Sequence, residues 1–374
     1  MSETDAYLPA LTGLRGVAAT WVLLFHLWQF AGSPSLAMPI GAASLSLTPL
    51  VRCGFMGVDL FFVLSGFLLA IPFHRAALGR SRTPRLATYW RRRCRRVLPA
   101  YYAQLIILVA VFAAWGQTEA LGVANLGAHA LLIQNFFAAS VPLNGVYWTM
   151  PIEWDFYVVL PLMAWVLARL RPLPALAAMI GLSVGFRWIC VLAAGDLAWP
   201  QWIDYSRIMQ LPARLDEFFC GVLGAWWYLR RPLSGAAART WVAAGLLGIA
   251  CCMAFWELPG NFLAEARTPW VLVYFTCTGF AFGMLVRGAA GQPAAGAVWF
   301  GGRALAWLGL ISYSLYLWHY PLLLALAHFD LLASGGAFAL LRNALVALPP
   351  ILLVSWLSQY CVERPFLASA RRSG

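Results

Sequence analysis

Residues 57–73 read GVDLFFVLSGFLLAIPF, an apolar run in which Asp59 is the only charged side chain. A transmembrane helix needs about 20 predominantly apolar residues, so this run and its flanks predict a membrane span over 50–71. Similar runs recur along all 374 residues, of which 62% are apolar and 11% are charged. Soluble domains are roughly 45–50% apolar. The composition therefore excludes a water-soluble globule, a coiled coil, a disordered chain and a disulfide scaffold, and it predicts an all-α polytopic membrane protein.

Ten runs of this kind predict ten transmembrane helices, which makes residues 1–374 a single transmembrane domain. Their predicted bounds are 10–31, 50–71, 98–116, 146–170, 174–194, 209–229, 238–257, 269–287, 303–327 and 336–361. The first run is interpreted as a span rather than a signal peptide, because it contains Arg15 and His26. Residues 117–146 are long for a connection, and they are predicted to form an outer segment that is either re-entrant or interfacial.

The distribution of arginine predicts which side of the membrane each loop faces. The loop at 72–97 carries nine arginines, so the positive-inside rule places it in the cytoplasm, and an even number of spans places both termini there as well. Arg207 and Arg267 fall in loops on the opposite side. The chain has no lysine, and this topology accounts for most of its net charge of +12, so no nucleic-acid partner is expected. The eight cysteines show no Cys-x-x-Cys spacing, and no metal is expected.

Two polar residues lie on one face of the first predicted helix. Arg15 and His26 are eleven residues apart, which is about 20° beyond three full turns and about 16 Å along the axis. Ionisable groups inside a span are energetically costly, so each needs a partner or a function. His26 is interpreted as either a packing residue or a functional base, and its alignment with Arg15 favours a function.

Asp59 and Ser65 are the polar residues of the second predicted span. Asp59 requires a cation or a hydrogen-bond donor, and the sequence equally allows His26, Arg187, Arg214 or Arg342 as that partner. A structural ion pair and a catalytic role are both open. Ser65 precedes Gly66 in a small-residue stretch, which favours close helix packing over a nucleophile because no base is adjacent in sequence.

Other polar groups allow a structural as well as a functional interpretation. The arginines at 92, 93, 95 and 96 either set the topology or bind a polyphosphate through forked guanidinium contacts. Glu153 either orients a base or receives sugar hydroxyls. A charge group formed by Arg214, Asp216 and Glu217 is expected to satisfy itself, and His319 is expected to be structural or to form a pocket wall.

Assembled in order, these residues resemble the acyltransferase-3 family of integral-membrane acyltransferases, here as a stand-alone membrane domain because the chain ends soon after VERPF. The resemblance covers nearly the whole chain, in LTGLRGVAATWVLLFH (11–26), GVDLFFVLSGF (57–67), RCRRVLPAYY (93–102), WTMPIEWDFYVVLP (148–161), SYSLYLWHYP (312–321) and VERPF (362–366). Trp154 departs from the pattern, since many relatives carry a polar residue there.

The resemblance implies transfer of an acyl group, most simply acetyl, from cytoplasmic acyl-CoA to a hydroxyl of an extracytoplasmic glycan such as O-antigen or exopolysaccharide. It implies His26 as general base on that hydroxyl, with an acyl-enzyme on His26 or Ser65 as the alternative mechanism. The implied roles are catalysis for His26, Asp59 and Glu153, contact with the donor for Arg15, Ser65, Arg93 and Arg96, and contact with the acceptor for Trp148, Tyr157 and His319.

Acyl-CoA is expected as the donor substrate, with no bound cofactor, and membrane lipid and the acceptor are the other expected partners. The expected location is the bacterial inner membrane, in a multi-pass topology. Acylation of a macrolide-like metabolite and succinyl transfer remain alternatives within the same chemistry. A transporter or flippase is the alternative of another class, although the sequence shows no internal repeat. The oligomeric state stays open.

Overall fold

The fold was analysed in a computed structural model, which describes residues 8–40, 43–137, 140–194, 209–257, 270–291 and 300–372. The long helices are α1 (Pro9–Phe30), α3 (Met56–Ala77), α4 (Leu86–Ala114), α6 (Thr149–Arg169), α7 (Pro172–Ala194), α8 (Leu211–Arg230), α9 (Gly235–Glu257), α10 (Trp270–Gly291), α12 (Ser312–His328) and α13 (Gly336–Leu357). The shorter helices are α2 (Thr48–Arg52), α5 (Val123–Ala130), α11 (Arg303–Leu310) and α14 (Arg364–Arg372). A two-stranded antiparallel hairpin pairs β1 (Ala37–Ile40) with β2 (Ala43–Ser46).

The helices of the described residues agree with an all-α membrane protein. Eight are long and apolar enough to cross a membrane, and the number rises to nine if α11 and α12, which are separated at Ile311, form one span. The predicted span at 209–229 is present as α8, but it carries several charges within its length. Arg207 and Arg267, which entered the prediction of sidedness, lie outside the described residues. The number of spans and the cytoplasmic termini therefore stay predictions.

Several helix bounds differ from the predicted ones because hydropathy detects only the apolar part of a helix. α4 begins at Leu86 instead of residue 98, so the arginines at 91–96 lie within the helix and not in a loop. The predicted loop at 72–97 is helical up to Ala77 and again from Leu86. An arginine-rich turn keeps helical backbone hydrogen bonds and exposes its charges, so a polar sequence extends α4 beyond its apolar length.

The described residues form two compact units. The first unit lies within Met1–Ala18, Gly57–Pro84 and Pro151–Leu310, and the second within Ala19–Met56, Arg85–Met150 and Ile311–Gly374. α1 is continuous and contributes residues to both units, with Arg15 in the first and His26 in the second.

In the first unit, α3 and α8 approach so closely that two glycines are required at their contact. A Cβ atom on Gly66 would lie 2.1 Å from the carbonyl oxygen of Phe218, and one on Gly221 would lie 2.0 Å from that of Val63. Small residues allow such backbone approach between membrane helices. The small-residue stretch at 65–66 is thus a packing site at Gly66, as its sequence predicts, and Ser65 beside it is half-buried.

In the second unit, α13 ends in a π-helical turn, Ser358–Glu363, before α14 begins. A π turn carries one residue more than the α-helical turn it replaces, and such turns are frequently found at functional sites. The predicted outer segment at 117–146 contains α5 and two short 3₁₀ turns at Thr118–Leu121 and Gln134–Phe136. Asn125 stabilises this segment by bonding the backbone at Ala120 and Val141.

Candidate active site

Two histidines that are distant in sequence meet in the second unit. Nε2 of His319 lies 3.1 Å from Nδ1 of His26, and the ring centroids are 5.0 Å apart. His319 is 1% exposed, whereas His26 is partly accessible. Each histidine also has Nδ1 3.0 Å from the backbone carbonyl oxygen four residues before it, that of Val22 or Leu315. The two rings are therefore held in fixed orientations.

These hydrogen bonds assign the proton on each neutral ring. A backbone carbonyl only accepts hydrogen bonds, so Nδ1 of His319 carries its proton and donates it to Leu315. Nε2 of a neutral His319 is then an acceptor, and Nδ1 of His26 faces two acceptors, which requires that it be protonated. Nε2 of His26 is left with its lone pair, and it makes no hydrogen bond to the described residues. This tautomer of His26 is the form that accepts a proton at Nε2.

A proline and two amides determine where α12 holds His319. Pro321 has no N–H to bond the carbonyl oxygen of Leu317, four residues before it. Gln104 and Asn144 donate side-chain N–H groups to that oxygen at 2.7 and 3.0 Å. Both amides are buried, and a backbone carbonyl freed inside an apolar helix needs such partners. The two amides thereby hold α12 against its neighbours two residues from the histidine.

Tyr320 connects the histidine pair to a cavity of about 600 Å³ in the second unit. Its ring packs edge-on against His26, with centroids 5.2 Å apart, and it forms part of the cavity wall. Gly145 leaves room for that ring, since a Cβ atom there would lie 2.6 Å from Cζ of Tyr320. Trp115, Glu119 and Trp318 also line the cavity. The ring of Tyr320 therefore lies between the histidine pair and a space of ligand size.

Asp59 is paired with Arg214 in the first unit. Nη1 of Arg214 donates to Oδ1 of Asp59 at 3.2 Å and to Oε1 of Glu217 at 3.0 Å. Of the four partners that the sequence allowed for Asp59, the structure selects Arg214. The side chain that bonds His26 is His319. The charge group predicted at 214–217 is present, and it is larger than predicted because it includes Asp59 and Arg187.

Arg96 has a carboxylate partner within the second unit, although the sequence suggested phosphate binding. Its Nη1 donates to Oε2 of Glu363 at 2.6 Å, and Glu363 is 1% exposed. Ser314 donates to the other oxygen of Glu363 and lies 2.9 Å from Oγ of Ser358. The π-helical turn ends at Glu363, so Arg96 joins α4 to this turn.

Replacing Arg96 with alanine is therefore expected to destabilise the protein by about 1–3 kcal/mol, because it leaves the buried Glu363 carboxylate without its charged donor. Thermal unfolding in detergent measures the loss. The exposed Arg92 on the same helix is the matched control, and Arg92→Ala is expected to leave the melting temperature unchanged. A destabilised Arg96→Ala protein that Glu363→Gln partly restores would assign Arg96 to this contact. Loss of acyl-CoA affinity without loss of stability would instead show that Arg96 binds phosphate.

The remaining predicted site residues lie in both units. Glu153 accepts a hydrogen bond of 2.5 Å from the hydroxyl of Tyr157, one turn later on α6. In the second unit, the Trp148 carbonyl oxygen accepts a bond of 2.6 Å from Asn135. Arg15 on α1 and Arg93 on α4 are half-buried. The functional roles of these residues stay predictions.

Sequence reasoning missed three features of the site: the pairing of His319 with His26, the amides of Gln104 and Asn144, and the carboxylate of Glu363. Pro321 was a usable signal, because a proline inside an apolar helix always frees a carbonyl that needs a donor elsewhere. The other contacts join residues that are far apart in sequence, and no local pattern marks them.

Comparison with known proteins gives a consistent result. The family model described as "Acyltransferase domain" matches residues 8–360. Peptidoglycan O-acetyltransferase OatA of Listeria monocytogenes is 26% identical over 85% of this chain and 49% of its own length. Putative peptidoglycan O-acetyltransferase YrhL of Bacillus subtilis is 26% identical over 100% of this chain and 57% of its own. O-acetyltransferase OatA of Staphylococcus aureus is 26% identical over 85% and 51%. The chain thus spans about half the length of these relatives, and no solved structure matches it.

Proposed function

Because this chain belongs to the acyltransferase family whose domain model spans residues 8–360, we propose that it transfers an acetyl group from acyl-CoA to a hydroxyl of a cell-envelope glycan. The relatives' names support the acetyl group and the glycan acceptor. Eight long apolar helices among the described residues support a multi-pass protein of the bacterial inner membrane. Acyl-CoA is a substrate in this proposal and not a resident cofactor.

The observation that carries the proposal is the contact between His26 and His319. It leaves Nε2 of His26 with a lone pair, beside a ring that borders the cavity of about 600 Å³. Nε2 of His26 takes the proton of the acceptor hydroxyl while the oxygen attacks the thioester carbonyl. The tetrahedral intermediate then expels the CoA thiolate, and the proton on His26 passes to that sulfur. The products are the ester and the free thiol, with no net change in protons.

His319 stabilises the charge that this step creates on His26. When Nε2 of His26 accepts a proton, the ring becomes a cation, and its Nδ1–H remains directed at the lone pair on Nε2 of His319, 3.1 Å away. A hydrogen bond from a charged donor is stronger than one from a neutral donor. His319 is in this proposal a positioning residue that favours the protonated form of His26.

The other predicted residues have assigned roles in the proposal. Arg15 and Arg93 bind the phosphates of the donor, since guanidinium groups form forked contacts with phosphate. Arg96 supports the π-helical turn through Glu363. Ser65, Asp59 and Glu153 keep their predicted contributions to donor binding and catalysis, while Trp148 and Tyr157 contact the acceptor.

The proposal is tested with inside-out membrane vesicles supplied with radiolabelled acetyl-CoA. We expect base-labile label in the glycan fraction of vesicles that contain this protein and none in vesicles from cells lacking it. Base lability distinguishes an O-acetyl ester from an amide. If acetyl-CoA binds and no glycan is labelled, the proposed acceptor or acyl group is wrong. If acetyl-CoA does not bind, the acyl-CoA proposal fails and a transporter becomes the better interpretation.

Substitution of His319 tests its positioning role. His319→Leu removes the acceptor for the Nδ1–H of His26 and is expected to lower kcat about 10- to 100-fold, the value of one hydrogen bond to a charged group. His319→Gln keeps an acceptor oxygen at similar reach and is expected to retain more activity. Both rates are measured with KM and melting temperature. Equal rates for the two variants at equal stability would contradict the assigned role.

A further inference from the structure

Five ionisable side chains are buried together in the first unit, and the proposed transfer reaction uses only one of them. They come from α3, α7 and α8, and each is at most 3% exposed. The cluster, called here the ion cluster, consists of Asp59, Arg187, Arg214, Asp216 and Glu217. Charged groups inside a membrane helix are costly unless they are paired. The pairing of each carboxylate therefore determines the charge that the cluster holds.

One half of the ion cluster is a complete ion pair. Nη2 of Arg187 donates to both oxygens of Asp216 at 2.6 Å. Thr276 on α10 donates to Oδ2 of Asp216 at 2.5 Å, and the Glu217 backbone N–H donates to Oδ1 at 3.1 Å. The remaining N–H groups of Arg187 bond the carbonyl oxygens of Ala213 and Leu272 and the hydroxyl of Thr276. Four donated hydrogen bonds, two of them from the Arg187 guanidinium, thus satisfy both oxygens of Asp216.

In the other half, two carboxyl groups share one guanidinium. Nη1 of Arg214 bonds one oxygen of Asp59 and one of Glu217. The second oxygens, Oδ2 of Asp59 and Oε2 of Glu217, are buried and make no hydrogen bond to the described residues. Two ionised carboxylates beside one cation would leave both of these oxygens charged and unsolvated in an apolar interior. The free energy cost of such a site exceeds that of a neutral carboxyl group.

The ion cluster carries an excess negative charge when every group in it is ionised. Three carboxylates and two guanidiniums give a net charge of −1 if all five groups are ionised. We propose that Asp59 and Glu217 together hold one proton in the folded protein, so that the ion cluster is neutral and contains a proton-binding site at Arg214. The centroid of the Phe275 ring lies 3.5 Å from Cζ of Arg214, so the ring covers one face of the guanidinium. Asp59 also has a role in the proposed transfer reaction, but the proton-binding site follows from the contacts of the ion cluster alone.

No other described charge on the surrounding helices replaces the proton. The further titratable groups that interact with the ion cluster are thiols: Cys220 on α8, Cys252 on α9 and Cys277 on α10. A buried neutral thiol adds no charge. Ser183 on α7 accepts a hydrogen bond from the Asp216 backbone N–H and is neutral as well.

Thermal unfolding as a function of pH tests the proposal in the purified full-length protein. In the unfolded chain both carboxyl groups ionise near pH 4, whereas the folded protein retains one proton at neutral pH. The folded state then binds one proton more than the unfolded state. Above about pH 4, and as long as the folded protein keeps that proton, the unfolding equilibrium constant therefore rises up to about tenfold per pH unit and the melting temperature falls. Glu217→Gln and Asp59→Asn each supply a neutral group permanently. We expect both variants to lose this pH dependence and to be at least as stable as the wild type at neutral pH.

The matched control is Asp216→Asn, which removes the same single charge from the completed pair. We expect it to be destabilised at every pH, because it leaves the Arg187 guanidinium without its carboxylate. The double variant Asp59→Asn, Glu217→Gln leaves a net charge of +1 and is expected to be less stable than either single variant. Infrared spectra of the wild type are expected to show a protonated carboxyl band that either single variant lacks.

Three results would overturn the proposal. The first is a wild-type protein whose stability does not depend on pH in the neutral range while the infrared band is absent. The second is equal destabilisation by Asp216→Asn, Asp59→Asn and Glu217→Gln. The third is a melting temperature that rises with sodium concentration and not with acidity, which would assign a monovalent cation to the site.

Discussion

His26→Ala protein is expected to lose acyl transfer by about 10²- to 10⁴-fold in kcat, the usual contribution of a general base. Nδ1 of His26 is hydrogen-bonded to the carbonyl oxygen of Val22 and to His319, so Nε2 is the atom that accepts the proton. Alanine removes this proton acceptor, so the hydroxyl of the glycan keeps its proton when it attacks. The measurement is initial rate in membrane vesicles, normalised to the amount of folded protein.

His328 provides a matched control on the helix that carries His319. It is exposed and stacks on Trp115 with centroids 4.1 Å apart, so His328→Ala is expected to keep normal turnover. Acyl-CoA affinity is expected to survive in His26→Ala, because the loss concerns the chemical step. Normal turnover of His26→Ala would remove His26 from the chemistry. Trapping a labelled acyl group on His26 would replace general-base catalysis with an acyl-enzyme.

Arg187→Met is expected to produce the largest loss of stability in the chain, about 3–5 kcal/mol, because it leaves the buried Asp216 carboxylate without a cation. Asp216 is 0% exposed and Arg187 is 1% exposed, so water cannot replace the lost partner. The guanidinium also bonds the backbone oxygens of Ala213 and Leu272, and through them it joins α7 to α8 and α10. The measurement is thermal or denaturant unfolding of the purified protein.

The double variant Arg187→Met, Asp216→Leu distinguishes an unpaired charge from lost packing. Replacing both members of a buried ion pair with apolar residues is often neutral, whereas removing one partner is strongly destabilising. We therefore expect the double variant to be more stable than Arg187→Met alone. A double variant that is the less stable of the two would show that the cost arises from the lost guanidinium contacts.

The membrane class and most helices were predictable, because a run of about 20 apolar residues is a local property of the chain. His26 was also identified from sequence, through its spacing from Arg15 on α1. Its partner was not, since His319 is 293 residues away and the contact depends on how α1 and α12 pack within the second unit. The sequence therefore predicted His319 only as a structural or pocket residue.

The same limit applies to the charged residues. Asp59 had four allowed partners in the sequence, and only the packing of α3 against α8 at Gly66 selects Arg214. Arg96 belongs to a cluster of arginines whose composition predicts topology or phosphate binding equally well. Its bond to Glu363 depends on the π-helical turn, and that turn has no signature in hydropathy.

The π-helical turn at Ser358–Glu363 also has a consequence for inherited variation. Because this turn carries one residue more than an α-helical turn, it accommodates that residue without rotating the helix that follows. Deleting one codon within 358–362 would convert the turn to α-helical geometry and leave Glu363 close to its present direction, towards Arg96 and Ser314. Deleting one codon from the preceding α-helical part of α13 would instead rotate Glu363 and everything after it by about 100° around the helix axis. The π-helical turn is therefore the part of this segment that tolerates the loss of one residue.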